Sequence, residues 1–166
     1  ESKKKIVQST ALRSLTVSTL LFLGVSLLLR EPLALHLDFK IEYITYGLII
    51  LALDALAVLP FVWFRANERP MRYAIIKIIN VCINLGFNVF FLLVLPLWAG
   101  EGDTSLWSSI YSEENKLTYV FISNLIASGV TLLLLVPQYI KIGFKFDASI
   151  WRAMFKYALP VLIAGI

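Results

Sequence analysis

The chain alternates between long apolar blocks and short polar, charged interruptions. The apolar blocks run over residues 6–29, 43–63, 74–98 and 117–140, and a further one opens at residue 157. Each of the first four is long enough for a helix that crosses a bilayer, which takes about 20 residues. None shows the strict in–out alternation over about ten residues that marks a membrane strand. The pattern predicts an all-α, polytopic transmembrane helix bundle: four full spans, then the start of a fifth. The interruption at 30–42 reads as a loop with Pro32 and mixed charge, and 64–73, FRANERPMRY, as a short basic turn where Pro70 ends any continuous helix. Residues 99–116 form a polar loop carrying Glu101, Asp103, Glu113 and Glu114, which Trp98, Trp107 and Tyr111 anchor at an interface. Residues 141–156 read as a basic connector.

The third block, Ala74 to Trp98, breaks its own apolar pattern. Lys77, Asn80, Asn84 and Asn88 fall within an arc of about 80° on a helix of about 100° per residue. Cys82 and Phe90 lie outside that arc. Hydrocarbon does not tolerate such a face, so it points at other helices or at a water-filled cavity. Each asparagine taken singly has two readings, interhelical hydrogen bonding or ligand contact; the stripe as a unit, headed by a lysine, favours a cavity lining.

Asp54, near the middle of the second block, is the sharpest single signal. A carboxylate there costs about 2.5–3.5 kcal/mol on insertion scales, so it is protonated, paired or wet. It reads either as a packing hydrogen bond or as part of a transport path. In a hairpin centred near Arg69 it lies level with Asn84, whereas Lys77 lies about 10 Å nearer the turn at 1.5 Å per residue. The expectation is a hydrogen bond from Asp54 to Asn84, with Lys77 in a separate basic mouth. Arg13 shares one face of the first span with Ser9, Thr10 and Thr16 and reads as topology anchor or anion contact. Arg65, Arg69 and Arg72 read first as retention charges, with phosphate contact as the alternative. Pro60, Pro96 and Pro137 lie near span ends and predict a kink or a termination.

Composition agrees with the pattern: 59% of the residues are hydrophobic, above the 45–50% typical of a soluble domain. The net charge of +4 is distributed as a topology signal. Lys3, Lys4, Lys5, Arg65, Arg69, Arg72, Lys141, Lys145, Arg152 and Lys156 lie on one side of the alternating spans, and only Arg30, Lys40 and Lys116 on the other. The excess assigns the first side, and the N-terminus, to the cytoplasm. Cys82 and His36 are the only residues of their kinds, so a disulfide framework or a zinc site is not expected. Nucleophile–base pairs, phosphate loops and nucleic-acid patches are absent from the sequence, which predicts neither an enzyme nor a nucleic-acid binder. Glu1 is not an initiator Met and Ile166 falls inside an apolar run; the chain reads as a piece of a longer protein.

LDALAVLPFVWFRANERPMRYAIIKIINVCINLGFNVFF, residues 53–91, resembles the fourth and fifth helices of bacterial polysaccharide-biosynthesis membrane proteins. These are the lipid-linked oligosaccharide flippases, of the O-antigen type, in the multidrug/oligosaccharidyl-lipid/polysaccharide exporter superfamily. The order of Asp in a span, Pro, aromatic, Arg, Arg-Pro, Arg-Tyr, Lys and two Asn carries the likeness. WRAMFKYALPVLIAGI, residues 151–166, looks like the start of the family's seventh helix. The resemblance implies a two-lobed, multidrug-exporter-like fold working by alternating access. The chain would supply helices three to six of the first lobe, an inter-lobe linker over 141–156 and the start of the second lobe. The implied substrate is an undecaprenyl-diphosphate-linked oligosaccharide moved outward across the bacterial inner membrane. The implied partners are the bilayer and the transporter's remaining helices, with no resident cofactor and with H⁺ or Na⁺ as candidate coupling ions. Asp54, Lys77, Asn80, Asn84, Asn88 and Arg13 would line the path, with Arg65 as a phosphate contact. The nearest alternative is a Na⁺- or H⁺-driven multidrug antiporter with Asp54 as the coupling carboxylate. A membrane-embedded glycosyl ligase or polymerase is a third; it calls for a large external loop, and 99–116 is small.

Overall fold

A computed structural model describes residues 2–98 and 115–164. Those residues are almost wholly helical, and no strand occurs among them. The elements are α1 (Ser2–Leu28), α2 (Arg30–Leu37), α3 (Ile41–Ala66), α4 (Pro70–Val89), a π-helical turn (Phe90–Val94), α5 (Leu95–Trp98), α6 (Lys116–Ile142) and α7 (Ala148–Ala164). Four helical stretches are long and apolar enough to cross a membrane: Lys4–Leu28, Ile41–Ala66, Pro70–Trp98 and Lys116–Ile142. This is a multi-pass membrane protein by the length and composition of its helices. The loop expected over 99–116, with Trp107 and Tyr111, lies outside the described residues up to 114.

Two connections differ from expectation. The segment 30–42 contains a helix, α2, in place of a loop. Pro32 falls in its first turn, where a missing N–H costs nothing, and Ala34, Leu35 and Leu37 are good helix formers. Asp38, in the left-handed region at φ 55°, ends it. The connector after the fourth span is also shorter than 141–156. The coil covers only 143–147, and α7 begins at Ala148, not at Tyr157. Asp147 supplies the reason: its carboxylate accepts hydrogen bonds from the N–H groups of Ser149 (2.8 Å) and Ile150 (3.2 Å), as a helix N-cap does. Gly143, at φ 76°, closes α6; a residue with a side chain is strained in that conformation.

The prolines act locally. Pro70 opens α4 at its first turn. Helix α3 continues through Pro60 and α6 through Pro137. The π turn precedes Pro96, and the Leu95 N–H reaches back five residues to the Phe90 carbonyl. A π turn is one way a helix absorbs a missing donor.

Helix α6 is the centre of the arrangement. It packs along both α3 and α4, while α3 and α4 touch chiefly near their shared turn. Tyr43 stacks on Phe121, and Ala57, Phe61 and Phe64 form a buried cluster with Leu135. Those pairs make α3 and α6 run in the same direction. Phe91 stacks on Tyr119, and Asn80 bonds Thr131, so α4 runs against α6. Small residues at the α3–α6 seam, Ala52, Ala57, Ser123, Ala127 and Ser128, are all buried and let the backbones approach. Helix α1 lies on α3, and α7 on α1. No residue of α4 is fully buried.

Candidate functional site

The asparagine stripe of α4 faces α6. Asn80 Nδ2 donates to Thr131 Oγ1 (2.8 Å), which itself donates to the Ala127 carbonyl (2.8 Å). One turn on, Asn84 Nδ2 donates to Asn124 Oδ1 (3.1 Å). Asn88 Nδ2 donates to both the carbonyl (2.9 Å) and the Oδ1 (2.6 Å) of Asn84. Asn88 Oδ1 is buried with no hydrogen-bond partner among the described residues. Cys82 and Ile78 are exposed on the far side. The three asparagines are thus turned inward and the apolar arc outward, as a helix in hydrocarbon requires.

Asp54 does not bond Asn84. Its Oδ1 accepts from Ser128 Oγ at 2.8 Å. The hairpin expectation treated α3 and α4 as neighbours along their whole length, but α6 lies between them and intercepts both partners. Asn124, Ser128 and Thr131 stand at i, i+4 and i+7 on α6, within about 60° of one another at about 100° per residue. One face of α6 therefore satisfies Asp54 of α3 on one side and Asn80 and Asn84 of α4 on the other. These three α6 residues complete the site. Their spacing in the fourth span was the available signal, and it is faint because Ser and Thr cost little in a membrane helix and are common there.

Asp54 lies midway between the ends of α3 and is exposed, as are Leu51, Val58, Val62 and Arg65 on the same face. Ser128 beneath it is buried. A mid-span carboxylate with one oxygen held by a buried hydroxyl and the rest of its acceptor capacity turned outward can take a proton, a cation or a hydroxyl donor.

Lys77 and Arg65 meet at one aromatic pair. Phe61 and Tyr73 make an edge contact at 5.2 Å; the Lys77 ammonium lies 4.9 Å from the Phe61 centroid and the Arg65 guanidinium 5.6 Å from that of Tyr73. The rings hold both cations in place through cation–π attraction, and both side chains remain exposed. Phe61 is two turns along α3 from Asp54, about 10 Å at 1.5 Å per residue. Lys77 is thus displaced from Asp54 toward the turn, in a basic mouth.

Arg13 is elsewhere. Its guanidinium lies over Phe146 at 5.6 Å, in the cleft between α1 and the start of α7 where Trp151 Nε1 donates to Ser14 Oγ (2.9 Å). Its neighbours Ser9 and Thr10 are buried, and Thr10 Oγ1 accepts from the Asp147 N–H (3.1 Å). The structure does not bring Arg13 to the α3–α6–α4 seam. No group of three or more His, Cys, Asp and Glu side chains fit for a metal occurs among the described residues. No family model, curated protein or solved structure matches the chain.

Proposed function

We propose that the chain is part of a bacterial inner-membrane transporter that moves a lipid-linked oligosaccharide outward by alternating access, and that it is not an enzyme. The observation that carries this reading is the uncovered Asp54 at mid-span. It stands beside a polar seam on three apolar helices, with the exposed cations Lys77 and Arg65 about two turns to one side. A membrane protein whose only task was to stay folded would gain nothing from an open carboxylate in hydrocarbon. A diphosphate-linked sugar needs cations for its phosphates and amide and carboxylate groups for its hydroxyls. Lys77 and Arg65 are placed for the first need, Asp54 and the asparagines for the second. The two-lobed exporter fold, the undecaprenyl diphosphate carrier and the remaining helices of the transporter enter through the resemblance of residues 53–91 and 151–166.

One observation favours a second reading, an antiporter driven by Na⁺ or H⁺: Ser128 holds Asp54 open to the exposed side, as a coupling carboxylate needs. One experiment separates the two. In the full-length protein, Lys77→Ala impairs surface-polysaccharide complementation of a flippase-deficient strain more than Asp54→Asn does, at matched membrane levels. Asn keeps shape and hydrogen bonding at position 54, whereas Ala removes a cation that the phosphates meet. Loss of export in Asp54→Asn with Lys77→Ala intact makes Asp54 the coupling site. Silence in both reduces the seam to packing.

A further inference from the structure

A second basic site lies apart from the α3–α6–α4 seam. Where the start of α1 meets the ends of α3 and α6, a cavity of 460 Å³ is lined by Lys4, Lys5, Gln8, Trp63, Asn67, Arg69 and Lys141. Four of those seven residues are cations and none is an acid. The cavities beside Trp151, Phe121 and Phe87 have apolar walls by contrast. The nearest carboxylate in sequence, Glu68, is exposed on the turn and does not line the space.

The walls are ordered by local contacts. The Arg69 guanidinium lies over the Trp63 ring at 5.8 Å, and Asn67 Nδ2 donates to the Trp63 carbonyl at 2.8 Å. The turn that presents Arg69 is itself closed by the Arg69 N–H on the Phe64 carbonyl at 3.0 Å. Arg69 is therefore aimed before any ligand arrives. Lys4 and Lys5 come from one span, Lys141 from another and Arg69 from the turn before α4, so the charges converge from two helices and a turn. The helix dipoles of α3 and α6, whose C-termini lie here, account for one cation at each end. They do not account for Lys4 and Lys5, which sit at a helix N-terminus where that dipole disfavours positive charge.

We propose that this pocket binds the phosphate of an anionic glycerophospholipid headgroup at the membrane surface. The site is at the end of three spans, so the acyl chains of such a lipid run down the apolar flanks while its phosphate meets the cations. Trp63 is the interfacial aromatic that accompanies such a contact. The end concerned is the one that the Lys/Arg distribution assigns to the cytoplasm, where basic pockets between spans take up anionic headgroups. This inference is independent of the transported cargo.

The test uses the full-length protein purified in mild detergent, titrated with dioleoylphosphatidylglycerol or dioleoylphosphatidylcholine and followed by native mass spectrometry. The protein retains phosphatidylglycerol in preference to phosphatidylcholine, and Lys5→Gln/Arg69→Gln/Lys141→Gln weakens that retention about tenfold. Arg72→Gln/Lys145→Gln/Arg152→Gln, which removes equal charge from outside the cavity, leaves it unchanged. Lys5→Arg/Lys141→Arg keeps the charge and the binding, which separates lost contact from lost fold. Equal weakening in the two triple variants overturns the proposal in favour of diffuse surface charge. Retention in the pocket triple variant overturns it outright. Displacement of the lipid by inorganic phosphate or pyrophosphate at equal concentration overturns the lipid as the source and assigns the pocket to a soluble phosphate.

Discussion

Proline and tyrosine solve a problem together in the second span. Pro60 has no N–H, so the carbonyl of Leu56 four residues earlier loses its partner within α3. The Tyr139 hydroxyl of α6 donates to that carbonyl at 2.5 Å. In hydrocarbon no water stands in for a missing donor, so this bond lets α3 run on to Ala66 through a proline. Tyr139→Phe should destabilise the protein by about 1 kcal/mol, the scale of one hydrogen bond whose buried acceptor is left open. Pro60→Ala restores an N–H to the helix, and in that background Tyr139→Phe should cost much less. Reversible unfolding in detergent of the two single variants and the double variant measures the coupling. Strict additivity would mean that Tyr139 acts through packing alone. The same logic explains what was hidden at residue scale. A proline is visible in a sequence, but the donor that repairs it is 79 positions away in Tyr139, and only the fold names it. The stripe Lys77, Asn80, Asn84, Asn88 was legible because polar residues at helical spacing inside a span have no cheap explanation. Its partners were not: Asn124 stands out in the fourth span but names no partner, and Ser128 and Thr131 are too unremarkable singly to draw a line between three helices.

At the scale of elements, the long spans announce themselves by hydropathy, and the short helices do not. Helix α2 and the first turns of α7 are built from mixed polar and apolar residues whose helical state depends on caps. Asp147 is the clearest of these. The Ser149 hydroxyl, then the Ile150 and Ser149 N–H groups, hold its carboxyl below the ordinary carboxylate range, because each bond favours the charged form. A carboxyl lowered on folding stabilises the structure above its unfolded pKa, near about 4, and that contribution is lost as pH falls through the lowered value. The start of α7 should therefore loosen in acid. Trp151, whose Nε1 donates to Ser14 Oγ, reports it. The emission difference between the protein and its Trp151→Phe variant should shift to the red as pH falls below about 4. Asp147→Asn keeps a capping side chain without a titrating group, so the same difference should then be flat with pH. A shift that survives in Asp147→Asn would assign the transition to another carboxylate.

For the whole molecule, the governing fact is that α6 packs on both members of the hairpin that precedes it. Sequence order suggests that neighbours in the chain are neighbours in space, and for the polar seam that suggestion fails. The direction of each span survives the rearrangement: α3 and α6 run together and α4 runs against them, as strict alternation across a bilayer demands. Direction within the bundle fixes orientation in the membrane once one end is located, and the Lys/Arg distribution supplies the expectation to be tested. Arg65, Arg69, Arg72 and Lys141 cluster where α3 and α6 end and α4 begins, while among the described residues the opposite end, where α3 and α6 begin, carries only Arg30, Lys40 and Lys116. Carrying the cationic end across the membrane is the costlier insertion, so that end should remain in the cytoplasm. Single cysteines in an otherwise cysteine-free background of the full-length protein, Cys82→Ser included, test this directly. Leu35 on α2 and Met71 on α4 are both well exposed, so accessibility within the protein does not distinguish them. A membrane-impermeant maleimide added outside sealed right-side-out membrane vesicles should label Leu35→Cys and spare Met71→Cys until the membrane is opened. The reverse pattern would invert every span. It would also place the basic mouth of Lys77 and Arg65 on the far side from the cytoplasm, against the proposed outward transport.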